Sequence, residues 1–223
     1  MIKNFKDWQL FENQTKQSQF LTIKEEIEQW LEDNVSIKGE YIINDDMTIN
    51  VNGGVMVKYS SESIKSFEVK FNKVTDHFIC EDCNLLESLE GAPEIVDGYF
   101  DCSNCPSLKS LKGAPETVGG YFDCAFCTSL TSLEGISTKI KGEIRLEDTP
   151  VSDFEEELND NKELLPLYSI GFTKDNYKEP EMQEKLKKLG TEHKVSWSIL
   201  DSYILDTNIG GSRRSMAKLK KGF

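Results

Sequence analysis

One segment of this chain occurs three times at a constant spacing of 22 residues, without a gap. Phe78, Cys80, Cys83, Leu86, Leu89 and Gly91 recur as Phe100, Cys102, Cys105, Leu108, Leu111 and Gly113. They recur again as Phe122, Cys124, Cys127, Leu130, Leu133 and Gly135. Val96, Val118 and Ile140 hold matching places between units, and Ile144 to Thr149 read as a degraded fourth unit. Repetition of this kind restricts the chain to architectures in which each unit stacks on the next. A unit this short cannot bury its apolar face alone.

The steps inside the unit have a structural meaning. Phe-x-Cys is a period-two pair, so both side chains fall on one face of a short strand. Cys83, Leu86 and Leu89 then step inward every third residue, as a tight irregular or 3₁₀ return does. Gly91-Ala92-Pro93 turns the chain. A coil of this length and step order is that of a leucine-rich repeat, with Phe and Cys in leucine positions. The expected fold class is therefore α+β. It is a short leucine-rich-repeat solenoid of about 4 coils, with an N-terminal helix-and-strand cap and C-terminal helices.

The flanks read as covers for the solenoid ends. Residues 1–54 are expected to form the N-terminal cap, 55–150 the solenoid, 151–209 a C-terminal helical cap, and 210–223 a basic tail. Thr22 and Glu25 form a capping box before Ile23, Ile27, Trp30 and Leu31 at helical spacing, which predicts a helix over 22–33. Residues 41–44, 48–51, 55–59 and 67–71 alternate as strands, with Asn52-Gly53-Gly54 as a turn between two of them. Ile64, Phe67 and Val74 sit one period before Leu86, Leu89 and Val96. Ser152 and Glu155 form a second capping box. A helix over 180–189 is expected to start near Pro180 and stop at Gly190. Val195, Trp197 and Ile199 fit either a strand or a last helix.

Several chemistries find little support. Cys80-x-x-Cys83 followed by Cys102-x-x-Cys105 fits a zinc ribbon. The alternative is a column of reduced thiols stacked from coil to coil, and the identical repeat slots favour it. No catalytic residue, metal ligand or cofactor is assigned, since the chain has only His77 and His193 and no nucleophile elbow or phosphate loop. The formal net charge is −13, which argues against general binding to nucleic acid or to an anionic membrane. Arg213, Arg214, Lys218, Lys220 and Lys221 face no acid within the tail, so the remainder is more acidic still. No apolar run is long enough to span a membrane, and Met1 to Trp8 have no signal-peptide core. A cytoplasmic location is expected.

The strand face carries the better signal. If Phe100 and Cys102 point inward, Tyr99 and Asp101 point out, and stacking aligns them in rows. One row holds His77, Tyr99, Tyr121 and Glu143; another holds Ile79, Asp101, Asp123 and Arg145. Exposed tyrosines serve as interface anchors, and neighbouring aspartates favour a basic partner. The expected partner-binding residues are His77, Ile79, Tyr99, Asp101, Tyr121, Asp123 and Arg145. The acids of 153–160 form the rival site.

Phe100-Asp-Cys-Ser-Asn104, Ser88-Leu-Glu-Gly-Ala-Pro93 and Val118-Gly-Gly-Tyr-Phe122 resemble the short leucine-rich repeats encoded by T4-like tailed bacteriophages. The resemblance covers about residues 74–150 and departs from the phage pattern at Cys83, Cys105 and Cys127, where that pattern has Asn. It implies a non-enzymatic binding scaffold in the host bacterial cytoplasm. Its partner would be a host protein, basic or nucleic-acid-binding, such as an antiphage defence toxin, which it would inhibit. The alternatives are an acidic DNA mimic that blocks a host DNA-binding enzyme, and a structural or assembly protein of the phage. Direct nucleic-acid binding is expected at most through the basic tail.

Overall fold

Phe78, Phe100 and Phe122 lie one above the next in the interior, fully buried, with ring centroids 5.7 and 5.4 Å apart. The structure, a computed structural model, describes residues 20–58, 64–172, 176 and 179–192. In chain order its strands are β1 (Val35–Ile43), β2 (Thr48–Val57), β3 (Lys70–Val74), β4 (Phe78–Ile79) and β5 (Ile95–Val96). There follow β6 (Phe100–Asp101), β7 (Thr117–Val118), β8 (Phe122–Asp123), β9 (Lys139–Ile140) and β10 (Ile144–Arg145). All pairings are parallel except that of β1 with β2.

The repeat becomes two ladders. β4, β6, β8 and β10 pair in succession, as do β3, β5, β7 and β9. Both ladders start on β2, whose first half pairs with β3 and whose second half pairs with β4. Each coil thus holds two short strands that meet at a corner, where the sequence reading has one. Gly98, Gly120 and Gly142 stack at that corner through N–H···O bonds of 2.6 and 2.9 Å. A β-carbon on the adjoining Gly119 would lie 1.9 Å from the Asp97 carbonyl oxygen. The backbone approach requires glycine there.

Inside, the expected columns form. Cys80, Cys102, Cys124, Leu86, Leu108, Leu130, Val74, Val96 and Val118 are all fully buried. The six cysteines are buried and unbridged. Cys105 Sγ donates to the Cys80 carbonyl at 3.2 Å, and Cys127 Sγ to the Cys102 carbonyl at 3.1 Å. Burial pushes the Cys80 thiol well above its ordinary value. Helix α1 (Lys24–Asn34) covers the N-terminal end with Ile27, Trp30 and Leu31.

Local features differ from expectation. Asn52-Gly53-Gly54 is no turn: it lies mid-strand in β2, paired with Glu40, Gly39 and Lys38. The two glycines bend the hairpin at the corner. The turn is instead Asn44–Met47, where the Met47 N–H bonds the Asn44 carbonyl and Asp46 accepts from the Thr48 N–H and hydroxyl. The third strand covers 70–74, later than 67–71. Thr22 caps nothing; extended Ile23 is the N-cap, and the Leu21 N–H bonded to the Glu68 carbonyl sets the helix entry.

At the C-terminal end a 3₁₀ turn (Ser152–Phe154) leads into α2 (Glu155–Asp160), with no side-chain cap from Ser152 or its neighbours. The Asn159 side-chain amide accepts from the Ile144 N–H and donates to the Ile144 carbonyl, while Glu155 accepts the Leu146 N–H. These side chains take the place of a further strand and close the edge of β10. Next come a second 3₁₀ turn (Lys162–Leu164), α3 (Leu165–Ser169) and α4 (Pro180–Glu192). Lys185 of α4 reaches Glu134 at 3.3 Å, and Met182, Leu186 and Leu189 are buried. The helix continues past Gly190 rather than stopping there. One helical glycine costs only about 1 kcal/mol, which a buried face offsets. Val195, Trp197, Ile199 and the basic tail lie outside the described residues.

Candidate protein-binding face

Period-two alternation in β4, β6 and β8 sends Phe and Cys inward and leaves the residues between them on the outer face. His77, Tyr99 and Tyr121 stack there, with centroids 5.2 and 4.4 Å apart and planes within 16° of parallel. All three are half-buried. The row has two ends. At one, Gly54 lies under the His77 ring. At the other, the Arg145 guanidinium sits 4.5 Å from the Tyr121 centroid. What remains accessible is a strip of ring edges and hydroxyls about as wide as three strands.

The second row runs in register beside it from Met56 through Ile79, Asp101 and Asp123 to Arg145. Ile79 and Asp123 are buried, Asp101 is half-buried, and Arg145 is exposed. The acids are therefore less open than the column expected of them, although the two charges still repel. Asp101 accepts from the Ser103 N–H at 3.0 Å and from the Ser103 hydroxyl at 2.7 Å. Asp123 accepts from the Ala125 N–H at 3.0 Å. Each closes the turn that ends its strand, as Asx turns do. Arg145 binds Asp123 at 3.2 Å and Glu143 at 2.9 Å. Burial raises the Asp123 carboxyl above its ordinary value, with the Asp101 charge adding to the shift. Burial, with Tyr99 and Asp101 beside it, pushes the Tyr121 hydroxyl up to about 12.

The structure thus brings all seven expected residues onto one strip, with unequal roles. His77, Tyr99, Tyr121 and Arg145 form its accessible part; Asp101 and Asp123 shape it from within. On the other ladder the outer face is different: Lys73–Asp97, Lys70–Glu94 and Lys139–Glu116 pair coil to coil at 2.8, 3.4 and 2.9 Å. Those charges are already matched, and exposed pairs of this kind contribute little to stability.

The rival acidic site loses two of its members to structure. Glu155 holds the Leu146 N–H, and Glu157 accepts from the Tyr168 hydroxyl at 2.9 Å. Sequence reasoning also missed two features. A shallow groove of about 600 Å³ runs along the Gly-Ala-Pro turns, lined by Ala92, Ala114, Pro115 and Ile136. Phe126 sits 44% exposed with φ 61°, in the left-handed region. Asp82, Asn104 and Asp148 hold the same conformation in the other coils, so only an alignment of coils could have marked it.

Among the described residues no group of histidine, cysteine and carboxylate side chains is placed to hold a metal ion. None of the described helices is long and apolar enough to cross a membrane. Comparison with known proteins returns no matching family, no similar curated protein and no similar solved structure.

Proposed function

We propose that this chain is a non-enzymatic binding scaffold that holds a protein partner on the outer face of the β4–β6–β8 ladder. The observation that carries this reading is the stacked His77–Tyr99–Tyr121 row, which is only partly buried while the Phe and Cys columns behind it are fully buried. Stacked rings are already ordered, so little side-chain entropy remains to be lost on binding. Their edges and hydroxyls, next to Arg145 and the Glu143 carboxylate, offer both apolar contact and hydrogen bonds. The overall −13 charge supports a basic partner. The likeness of the repeat to phage-encoded units makes bacterial proteins, defence toxins among them, the first to test. Inhibition of such a host protein is part of the same proposal.

The experiment is site-directed photo-cross-linking in bacterial cells. A photoreactive phenylalanine replaces Tyr121 in one variant and Lys109, on the return side of a coil, in another. A discrete adduct from position 121 and none from 109 is expected. An adduct from 109 alone, or from neither position, overturns the assignment.

A further inference from the structure

Among the described residues the outer edge of β1 has no partner strand, and its residues are complementary to themselves. On β2, Gly53 donates its N–H to Thr75 Oγ1 and accepts from the Asp76 N–H, while the Val51 carbonyl accepts from the Thr75 N–H. The odd-numbered residues of β2 therefore point their main-chain groups away from β1. Their partners Ile37, Gly39 and Tyr41, opposite Val55, Gly53 and Val51, must point theirs outward. No described residue bonds those groups. The edge is nine residues long, contains no proline, and leaves Tyr41 39% and Ile42 67% exposed. Edges of that kind are templates for another strand.

We propose that the strand which pairs there is β1 of a second copy of this chain, antiparallel and centred on Gly39. A two-fold axis at Gly39 sets Lys38 opposite Glu40 of the other copy, and Glu40 opposite its Lys38. It sets Ile37 opposite Tyr41, next to the groove of about 410 Å³ formed by Glu28, Leu31, Val35 and Ile37. Lys38–Glu40 is a non-hydrogen-bonded pair in this register, the type whose side chains come closest. The bend at Gly39 is no obstacle, because β1 and β2 already pair across the facing bends of Gly39 and Gly53. A two-fold perpendicular to the sheet keeps both copies' outer faces on the same side. Lys38 lies opposite Gly54 and hence on the face of His77. The pair would present one aromatic row on each copy, a bivalent version of the surface proposed above. The pairing itself does not depend on what that surface binds.

Sedimentation velocity of the full chain tests this. The wild-type mass should rise from 25.4 kDa toward twice that value as concentration increases. The midpoint should fall between about 10 and 1,000 µM, as for a small interface. Lys38→Glu alone places acids opposite acids, and Glu40→Lys alone places lysines opposite lysines. Each should weaken association about tenfold or more. An equimolar mixture of the two variants restores both ion pairs and should recover wild-type association. Neither variant touches a buried side chain, and circular dichroism verifies the fold. A wild-type chain that stays monomeric overturns the proposal. So do single variants that associate like wild type, and so does a mixture no tighter than its components. Deletion of residues 210–223 checks the other occupant: a dimer that appears only without the tail gives the edge to that basic segment instead.

Discussion

Gly54 lies directly beneath His77: a β-carbon at residue 54 would stand 2.4 Å from His77 Nε2. The absence of a side chain there lets the imidazole lie flat and start the stack that continues through Tyr99 and Tyr121. Gly53, one residue earlier, has a different constraint. It holds φ 147°, and a β-carbon would stand 1.8 Å from the Lys38 carbonyl oxygen.

The two glycines should therefore respond differently to alanine. Gly54→Ala pushes only a side chain, so the fold should lose about 1 kcal/mol or less, and the His77 ring proton resonances should move as the ring leaves Tyr99. Gly53→Ala meets backbone at a positive φ and should cost about 2 kcal/mol or more. Urea unfolding with one-dimensional NMR checks both. Equal costs at the two positions would contradict the assignment of roles.

The cysteine columns should behave as packing. Cys102→Ala leaves a small cavity in a fully buried column and should cost about 1–3 kcal/mol. Cys102→Ser should cost as much or more, because a buried hydroxyl needs a partner. A strong chelator should leave the melting temperature unchanged; stoichiometric zinc lost together with the fold would refute the packing role.

Asp123 should make stability depend on pH in a definite direction. Burial raises its folded-state value above the ordinary 3.8. The fold thus favours the neutral carboxyl, and the stability linked to that proton is present below the unfolded value and lost as pH rises through the folded one. Asp123→Asn retains an acceptor for the Ala125 N–H without the charge. Its melting temperature should exceed that of wild type at neutral pH and converge with it as pH falls toward about 4. Convergence in the alkaline direction would contradict the reading.

Phe126 should be a costly residue at its position. A bulky side chain in the left-handed region is held about 1 kcal/mol or more above an asparagine there. Phe126→Asn should raise the unfolding midpoint, since the ring is 44% exposed and the Asp82, Asn104 and Asp148 turns adopt the same geometry. A marked drop would show that the ring packs in a way its exposure does not reveal.

The stacking was legible in the sequence because Phe78, Phe100 and Phe122 repeat with constant spacing, and a column follows from that alone. The corner was not. Asn52-Gly53-Gly54 carries the same local signal whether the chain reverses or merely bends, and only pairing with Lys38, Gly39 and Glu40 decides between them. The outward position of the row follows from alternation alone, whereas the turn bonds of its acids do not. Asp101 and Asp123 stand two residues before Ser103 and Ala125, a spacing that permits local turn bonds as readily as a column of free charge. Gly190 carries a stop signal that the buried face of α4 overrides.

Under the proposed function, the aromatic row serves a partner and not the fold. The most direct measurement sets stability and binding side by side for the Tyr99→Ala, Tyr121→Ala double variant. Removing two half-buried rings from a stack should cost about 1–3 kcal/mol, leaving a cooperatively folded chain by urea titration. Quantitative capture from bacterial lysate should then show that the stoichiometric partner held by wild type is lost at least about a hundredfold, the scale of anchor residues. A double variant that folds cooperatively and holds the same partner at the same strength would contradict the account.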